Sequence, residues 1–473
     1  MFDIKQINHD NWQPFTLDLD GCAVSIDKLL RLVPSRRIVA EAGWKTNQTL
    51  IAKLFFGRHA RKNFLRELKG NQKLVTAMIP AAKIEAYGKD KIHHVYIILF
   101  EKLIASTDIA AIWCGNDKNA VRELLAKMRD NIARMHQHNM LFADIHADNF
   151  FLTTQSFYLL DSGSVISKSA LSEVMCLKNM ATLYGQLFAY HYDVIDDDFA
   201  AYCQQRAWPL TIDKKRKFYH YFHRYIHYRI AKLRRKLLRN STGIYFEKNF
   251  FRLFACKRGQ YSEFLKKFAS QPERVLKKHN LTIIKAGNTC TVFHSRQFSL
   301  VIKRYNIKNW WRLLKRYFRK SRAKRSWINA HILELLGIAT AKPIAILERR
   351  IGWCHIKSYF VAEYVEGVLL RDCDIDHIKQ FDGVSKFLKL LECFARIGIV
   401  HGDMKAANFK LDHKQISVLD LDAMRLYSPN SALFKKKFTK DLNRFLYNWH
   451  DKPAIRQLFV DKFKQSKLAM FLS

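Results

Sequence analysis

The chain has 473 residues, of which 49% are hydrophobic and 26% are charged, while glycine (17) and proline (8) are sparse. These proportions exclude a disordered or fibrous protein, and the length allows two or three domains that each bury a core. Lysine and arginine (81) outnumber aspartate and glutamate (42), giving a formal net charge of +39. Such a charge favours anionic partners: nucleic acid, an acidic membrane surface or a phosphorylated substrate.

The sequence carries no sign of export or membrane insertion. Its first residues, Met-Phe-Asp-Ile-Lys-Gln-Ile-Asn, contain no basic stretch leading into an apolar core, so we expect no signal peptide. No apolar run approaches the ~18 residues that a membrane-spanning helix needs. The nine cysteines are scattered without a Cys-x-x-Cys pair, which indicates reduced thiols rather than disulfides or a zinc site. We therefore expect a cytoplasmic protein.

In the first half, strand-like sequence precedes helix-like sequence. Residues 37–40 and 49–56 are rich in apolar and β-branched residues and predict strands. A helical pattern begins at Val121, and a short apolar run over residues 157–160 ends at Asp161. Residues 214–240 then carry eleven Lys or Arg and no acidic residue.

The second half repeats this order. Strands are predicted at residues 281–287, 291–294 and 300–305, and a helix at 384–391. The apolar run 416–419 ends at Asp420. We place the boundary between residues 270 and 278, which gives a first domain at 1–275 and a second at 276–473.

A long-period repeat connects the halves. In each half an aspartate is followed after five residues by an asparagine, and after twelve more by a second aspartate. The two sets are Asp144, Asn149 and Asp161, and Asp403, Asn408 and Asp420. Because the two sets are 259 residues apart (Asp144 to Asp403), each copy has the size of a domain.

These residue types suit phosphoryl transfer from ATP. A carboxylate can accept the proton of an attacking hydroxyl, and amide and carboxylate oxygens suit Mg²⁺, which prefers oxygen ligands. A lysine on a rigid strand can hold the phosphates that are not transferred. Lys53 and Lys303 lie on predicted strands, and the order Lys, Asp, Asn, Asp is similar to the pattern of protein kinases.

The second half also resembles the lipopolysaccharide core kinases, the heptose and Kdo kinase family with a protein-kinase-like fold. The resemblance covers roughly residues 278–450, and the first half repeats it more loosely over about 35–200. The segments that carry it are 301–305, 337–344, 359–367, 401–409, 420–422 and 440–445. It implies an α+β protein of two tandem protein-kinase-like domains, each with a small β-rich N-lobe and a larger helical C-lobe.

The resemblance assigns roles residue by residue. In the second half, Asp403 would be the base and Lys303 the phosphate contact, and Lys405 could reach the γ-phosphate. Asn408 and Asp420 would hold Mg²⁺ on ATP. In the first half the corresponding residues are Asp144, Lys53, Asn149 and Asp161, with His146 in place of Lys405.

Each half departs from the pattern. The first has Phe142 where the second has His401, but it keeps Glu67 as a helix glutamate to pair with Lys53. The second has Ser326 where that glutamate is expected, with Glu334 about two turns further along. A glycine-rich phosphate loop is reduced to one glycine in each half, within residues 41–45 and 285–292.

The family resemblance implies a kinase that phosphorylates heptose or Kdo hydroxyls of the lipopolysaccharide inner core at the cytoplasmic face of the inner membrane. The alternative is a pseudokinase-type scaffold of core assembly, which the two departures would suit. The second half is the better candidate for activity because its loop is closer to the family pattern, although both halves can be active.

The basic runs 214–240 and 303–327 each contain eleven Lys or Arg, no acid and several aromatic residues. Basic helices with Trp and Phe suit an anionic membrane interface. They also suit nucleic acid, but the family resemblance favours the membrane and the phosphates of a lipopolysaccharide core or lipid A intermediate. His220, His223 and His227 share one helical face; we expect interfacial packing there rather than a metal site.

Overall fold

The computed structural model describes residues 4–7, 11–154, 156–278, 281–306, 320–352 and 354–472. The protein is of the α+β class and forms two compact units. Unit 1 comprises Met1–Leu187 and Asp193–Tyr225, and unit 2 comprises Phe188–Tyr192 and Ile226–Ser473. No helix in the described ranges is both long and apolar enough to cross a membrane.

Unit 1 begins with an antiparallel sheet. Its strands lie in the order β1-β2-β3-β4-β6-β5, and helix α1 follows β4 in the chain. Phe64 and Leu68 of α1 pack against Phe55, Ile98 and Phe100 of the sheet. The bounds are β1 Phe15–Leu19, β2 Cys22–Val33, β3 Arg37–Trp44, β4 Thr46–Phe55, α1 Ala60–Thr76, β5 Ile84–Asp90 and β6 Val95–Glu101.

The rest of unit 1 is mainly helical. Helix α3 buries Leu125, Met128 and Ile132 at helical spacing, which confirms the helical pattern predicted from Val121 onward. The elements are α2 Ile109–Trp113, α3 Lys118–Gln137, β7 Met140–Phe142, β8 Phe150–Leu152, β9 Phe157–Leu159, β10 Val165–Ser167, α4 Glu173–Tyr184, α5 Ile195–Gln205 and α6 Ile212–Lys236. Strand β7 pairs with β10 and β8 with β9, while α6 continues into unit 2.

Unit 2 is built around a seven-stranded antiparallel sheet in the order β11-β12-β16-β17-β15-β14-β13. Its first elements are β11 Ile244–Lys248, β12 Arg252–Lys257, α7 Glu263–Ser270, α8 Pro272–Lys278, β13 Thr282–Ala286, β14 Cys290–Ser295, β15 Leu300–Tyr305, α9 Arg322–Leu335, β16 Pro343–Ile351 and β17 Cys354–Glu363. The three strands predicted in this half overlap β13, β14 and β15. In unit 1 the predicted segments 37–40 and 49–56 overlap β3 and β4.

Short strands and helices complete unit 2. Their bounds are β18 Val368–Leu369, α10 Ile375–Gln380, α11 Gly383–Ile397, β19 Ile399–Val400, β20 Phe409–Leu411, β21 Ile416–Val418, β22 Arg425–Leu426, α12 Ala432–Tyr447 and α13 Pro453–Lys464. Strand β20 pairs with β18 and β21, and β19 pairs with β22. The predicted helix at 384–391 lies within α11.

The sequence repeat is also a repeat of structure. Strands β2-β3-β4-β6-β5 and β13-β14-β15-β17-β16 form the same antiparallel order. Phe150 pairs with Leu159 as Phe409 pairs with Val418. Isolated parallel bridges join Leu159 to Ala81 and Val418 to Thr340. The 259-residue offset therefore holds for long-range pairings as well as for the motif.

Apart from Phe188–Tyr192, which belong to unit 2, the units divide at Tyr225/Ile226, whereas the sequence placed the boundary at residue 275. The reason is that β12 pairs with β16, so the hairpin β11–β12 extends the second sheet. Helices α7 and α8 bury Leu265, Phe268 and Val275 in the core of that same sheet. Residues 244–275 thus belong to unit 2.

Candidate functional site

The loops that contain Asp144 and Asp403 adopt the same local structure. The side-chain amide of Asn149 donates to the backbone oxygen of Asp144 at 2.9 Å. In unit 2 the Asn408 amide donates to the backbone oxygen of Asp403 at 2.8 Å. Each asparagine ends a short 3-10 turn, so its side chain fixes the loop and keeps its amide oxygen available as a ligand.

Asp161 and Asp420 share an unusual backbone conformation. Their φ and ψ angles are 53° and 53° for Asp161, and 55° and 60° for Asp420, in the left-handed region that non-glycine residues seldom occupy. Each aspartate follows a short strand and precedes a 3-10 turn, Ser162–Ser164 or Leu421–Ala423. Because this strained backbone conformation occurs at equivalent positions in both units, we infer that it serves to orient the aspartate side chain.

Lys53 and Glu67 form an ion pair in unit 1, as the family resemblance implied. The ammonium group of Lys53 bonds to Oε1 of Glu67, and Glu67 is only 2% exposed. The carboxylate of Glu67 also accepts hydrogen bonds from Ser162 Oγ (3.1 Å) and from the backbone N–H of Gly163 (3.2 Å). Glu67 therefore joins the strand lysine to the turn that follows Asp161.

The Asp161 carboxylate lies among cations. Its Oδ1 is 3.1 Å from Arg37 Nη1 and 3.9 Å from Lys53 Nζ. Burial alone would raise the pKa of Asp161, but Lys53 and Arg37 outweigh it and hold the pKa below its ordinary value. The carboxylate is thus ionised at neutral pH, as a Mg²⁺ ligand must be. The sequence did not point to Arg37; its one signal was its place at the start of a strand two residues before Val39, the cross-strand partner of Lys53.

A cavity of about 350 Å³ opens beside this group in unit 1. Its volume is within the range of small-molecule sites, roughly 300–1,000 Å³. Its polar lining residues are Lys53, Glu67 and Asp161, together with Glu41, Asn71, Glu101, Lys102 and Ser162. The remainder is largely apolar and can take a flat heterocycle; it is formed by Leu30, Val39, Ile51, Ala82, Phe100, Leu103, Phe151, Leu159 and Leu160.

In unit 2, Lys303 Nζ donates to Asp420 Oδ1 at 3.3 Å. Burial would raise the pKa of Asp420, but Lys303 and Arg322 hold it below its ordinary value. Arg322, the first residue of α9, also bonds to the buried carboxylate of Asp422. The structure thus brings the predicted lysine and strand-end aspartate together in both units.

The helix glutamate differs between the units. A Cβ added to Gly70 of α1 would lie 2.0 Å from Ser162 O, and Asn329 of α9 donates to the equivalent Leu421 O at 2.8 Å. This match places Ser326 at the position of Glu67, where its hydroxyl contacts Tyr305 Oη at 3.0 Å.

Glu334 does not substitute for the missing glutamate. Its carboxylate is 2.6 Å from Lys257 Nζ and 3.1 Å from His331 Nδ1. Burial would raise the pKa of Glu334, but hydrogen bonds from His331 and Lys257 lower it to about 2. Glu334 is therefore committed to partners other than Lys303.

The Asp403 loop is anchored from several sides. His401 Nε2 donates to Leu419 O at 2.9 Å, and its Nδ1 accepts the backbone N–H of Asp403 at 3.3 Å. The backbone N–H of Gly402 donates to Asp441 Oδ2 at 2.8 Å, and burial raises the pKa of Asp441. In unit 1, different residues hold the equivalent loop: Gln186 donates to Ile145 O and Asn179 to Phe142 O.

Asp403 also has cationic partners that the sequence did not reveal. Arg444 Nη1 lies 2.8 Å and Lys405 Nζ 3.4 Å from Asp403 Oδ1. Helices α4 and α12 are equivalent elements of the repeat, because their N-cap residues, Ser172 and Ser431, are 259 residues apart. At the same offset, Gly185 is the residue of unit 1 that corresponds to Arg444. Among the described residues, an arginine of this helix contacts the loop in unit 2 but not in unit 1, because α12 continues to Tyr447 while α4 ends at Tyr184. The exposed side chain of Lys405 thus contacts Asp403. In unit 1 the corresponding residue, His146, is also exposed and lies beside Asp148.

The two predicted glycine loops have different outcomes. Gly287 lies in the turn between β13 and β14, one strand before Lys303, as a phosphate loop requires. Gly43 instead lies near the end of β3, at the β3–β4 turn, while Lys53 pairs with Val39 toward the other end. The equivalent turn in unit 1 is residues 34–36, where Ser35 has a φ of 56°. The assignment of residues 41–45 was therefore wrong.

The donor set fits a divalent ion held on a triphosphate. In each unit one asparagine oxygen and one ionised aspartate, Asn149 with Asp161 or Asn408 with Asp420, lie in adjoining turns, since the backbone N–H of Leu160 or Leu419 donates to the asparagine carbonyl. No group of three or more His, Cys, Asp or Glu placed to hold a metal occurs in the described part of the chain. His220, His223 and His227 lie on α6.

The basic runs are only partly described. Residues 214–236 lie in α6, whose Lys217, Arg224 and Arg235 are exposed. Part of the second run, 303–327, lies outside the described residues, namely 307–319. This part contains the aromatic residues Trp310, Trp311, Tyr317 and Phe318.

Neither a protein-family model nor a curated protein matches this sequence.

Proposed function

We propose that the chain is an ATP-dependent phosphotransferase with two tandem protein-kinase-like domains. The observation that carries this proposal is the recurrence, in both units, of a strand lysine beside a left-handed aspartate (Lys53 with Asp161, Lys303 with Asp420) and a loop that holds a second aspartate next to an asparagine. One cavity beside the first set is large enough for a nucleotide base.

In this proposal each side chain has a distinct task. Lys53 and Lys303 hold the non-transferred phosphates, while Asn149 with Asp161, and Asn408 with Asp420, hold Mg²⁺. When bound, Mg²⁺ neutralises charge on the phosphate oxygens. Asp144 or Asp403 orients the acceptor hydroxyl and takes its proton as the oxygen bonds to the γ-phosphorus, and ADP leaves with the electrons of the broken bond.

The proposed acceptor is a sugar hydroxyl, of heptose or Kdo, on the lipopolysaccharide inner core at the cytoplasmic face of the inner membrane. The resemblance of residues 278–450 supports this choice. The net charge of +39 also supports it, because the acceptor is a phosphorylated, anionic lipid.

The test is phosphorylation of dephosphorylated core lipopolysaccharide by the purified chain with Mg²⁺ and ATP. Asp403→Asn and Asp144→Asn remove only the carboxylate charge, and we expect at least one of them to lower kcat by roughly 10²- to 10⁴-fold, the usual size of general-base catalysis. Asp451→Asn, at an exposed position after α12, is the matched control. Full turnover in the double Asp144→Asn/Asp403→Asn variant would refute the assignment.

A second candidate function is a pseudokinase-type scaffold or binding protein of lipopolysaccharide core assembly, which would not transfer phosphate. The observation that favours it for unit 2 is that α9 supplies Ser326 rather than a glutamate near Lys303, and that Arg444 pairs with Asp403. If unit 2 alone has this role, turnover depends on unit 1, and only Asp144→Asn would change it; if the whole chain has it, no turnover is measured with or without either substitution.

A further inference from the structure

Two neighbouring hairpin turns of unit 2 expose large apolar side chains. Phe250 (58% exposed) and Phe251 (66%) lie in the turn between β11 and β12, and Ile351 (58%) is the last residue of β16, next to the turn to β17. The turns adjoin each other, because the backbone N–H of Gly352 donates to Phe250 O at 2.9 Å. Three large apolar side chains exposed to water at one end of the strands indicate an interaction surface. We call these three residues the apolar tip.

A row of basic residues lies directly behind the apolar tip. In the sheet register Arg252 is opposite Arg349, and Arg349 is opposite Lys357. Like charges directly opposite each other repel and destabilise the sheet, and a bound anion would relieve this repulsion. The row follows Phe251 by one residue and precedes Ile351 by two, which places it within about 7 Å of the tip along the strands.

The protein does not neutralise the row completely. Arg252 pairs with Glu247 at 2.6 Å and Lys357 with Glu273 at 3.3 Å, while Arg349 donates to the carbonyl of Ser270. A cavity of about 330 Å³ lies beside the row, lined by Gln271, Pro272, Glu273, Arg274, Arg349, Lys357 and Tyr359. Its three cations exceed its one carboxylate, and that carboxylate also accepts from Tyr359 Oη and Arg304. A phosphate group suits this balance.

We propose that this edge of unit 2 is a docking site for an anionic lipid bilayer. The apolar tip enters the boundary between headgroups and acyl chains, a depth of ~5–10 Å. At that depth the row of Arg252, Arg349 and Lys357 lies level with the lipid phosphates, and the cavity takes one headgroup. A bilayer fits better than nucleic acid because the outermost groups are apolar and the cations are behind them. The inference does not depend on phosphotransfer.

The experiment is flotation of the full chain with phosphatidylcholine vesicles that do or do not contain phosphatidylglycerol. We expect binding only to the anionic vesicles, and a loss of at least about tenfold in the Phe250→Ser/Phe251→Ser variant, since each exposed ring loses its apolar burial. The matched control is Leu433→Ser/Met470→Ser, which removes side chains of similar exposure (53% and 62%) elsewhere in unit 2 and should bind normally. Thermal melting verifies that the variants are folded.

The charge is tested separately. Arg349→Gln/Lys357→Gln should weaken binding by about tenfold or more at low salt, whereas Arg349→Lys should not. If the Gln variant loses binding but the Phe variant does not, the site takes a phosphate without bilayer contact and the proposal is wrong. Equal loss in the Leu433/Met470 control, or retention on duplex DNA without vesicle binding, would also overturn it. None of these measurements requires ATP, so they remain decisive if phosphotransfer is absent.

Discussion

Lys53 and Lys303 occupy equivalent places on their strands, yet only Lys53 has a buried carboxylate as a partner. Glu67 holds Lys53 in place and also binds the turn after Asp161. Lys303 bonds directly to Asp420, the group that would ligate Mg²⁺. At the scale of single residues, unit 1 is therefore the better organised candidate for the proposed nucleotide site, although the loop of unit 2 is closer to the family pattern.

Glu67→Gln tests this difference. The change removes the charge next to Lys53 while keeping the shape, so we expect unit 1 to lose about 2 kcal/mol of stability and nucleotide affinity to fall about tenfold. Urea denaturation and nucleotide titration provide the two measurements. Glu85→Gln is the control, since its pair with Lys83 is on the surface and should contribute about 0.5 kcal/mol or less. Unchanged affinity in Glu67→Gln would contradict the role of the ion pair.

His136 gives unit 1 a dependence on pH. Burial lowers the pKa of His136 to about 4, and the neutral ring bonds to Tyr202 Oη (2.7 Å) and Asn179 Oδ1 (3.0 Å). Below the ordinary pKa of 6.5 the unfolded chain binds a proton that the folded chain does not bind. The contribution of His136 to the free energy of unfolding is therefore fully present above pH 6.5, and about 3 kcal/mol of it is lost as the pH drops to about 4.

The measurement is urea denaturation of unit 1 across that pH range. His136→Gln should remove most of the slope between pH 6.5 and about 4, even though it also loses hydrogen bonds at neutral pH. His138→Gln, at an exposed position two residues away, should keep the slope. A slope that persists unchanged in His136→Gln would assign the titration to another group.

At the scale of elements, α1 and α9 show how one packing position decides a site. Gly70 lets α1 approach the turn after Asp161, and this approach brings Glu67 to Lys53. Asn329 instead joins α9 to the equivalent turn through hydrogen bonds to Leu421 O and Met424 O. The turn is fixed in both units, but only the closer helix also delivers a carboxylate.

Gly70→Ala tests the close approach. A Cβ at Gly70 would lie 2.0 Å from Ser162 O, so α1 must move; we expect a loss of about 3 kcal/mol and weaker nucleotide binding in unit 1. Gly243→Ala, where no atom lies within 4 Å of the added carbon, should be neutral or slightly stabilising. Calorimetry of the two variants provides the comparison, and a Gly70→Ala chain as stable as the parent would show that the helix has room.

At the scale of the whole molecule, the duplication predicts two nucleotide sites per chain. Titration with Mg²⁺ and a non-hydrolysable ATP analogue should show one tighter and one weaker site. Lys53→Met should remove the tighter and Lys303→Met the weaker, because each removes the phosphate contact of its own unit. Lys342→Met, an exposed lysine between α9 and β16, is the control. A single site that is insensitive to one of the two lysines would identify the unit that has lost nucleotide binding.

The family resemblance implied the α+β class, and the sequence by itself determined the repeat and the strands and helices around each motif. These features follow from local patterns of apolar and polar residues and from the fixed spacing of Asp, Asn and Asp. The kinase-family resemblance, rather than these local patterns, implied that Glu67 would pair with Lys53.

Only the tertiary structure decided which distant segments join. The tertiary contacts that matter join residues 41 to 124 positions apart: they are the pairing of β12 with β16 and the Arg37–Asp161 and Arg444–Asp403 contacts. The exposure of the turns at Phe250 and Ile351 depends on neighbouring strands of the sheet. Free energy from such contacts is realised only when the chain has folded, so local sequence carries no trace of them.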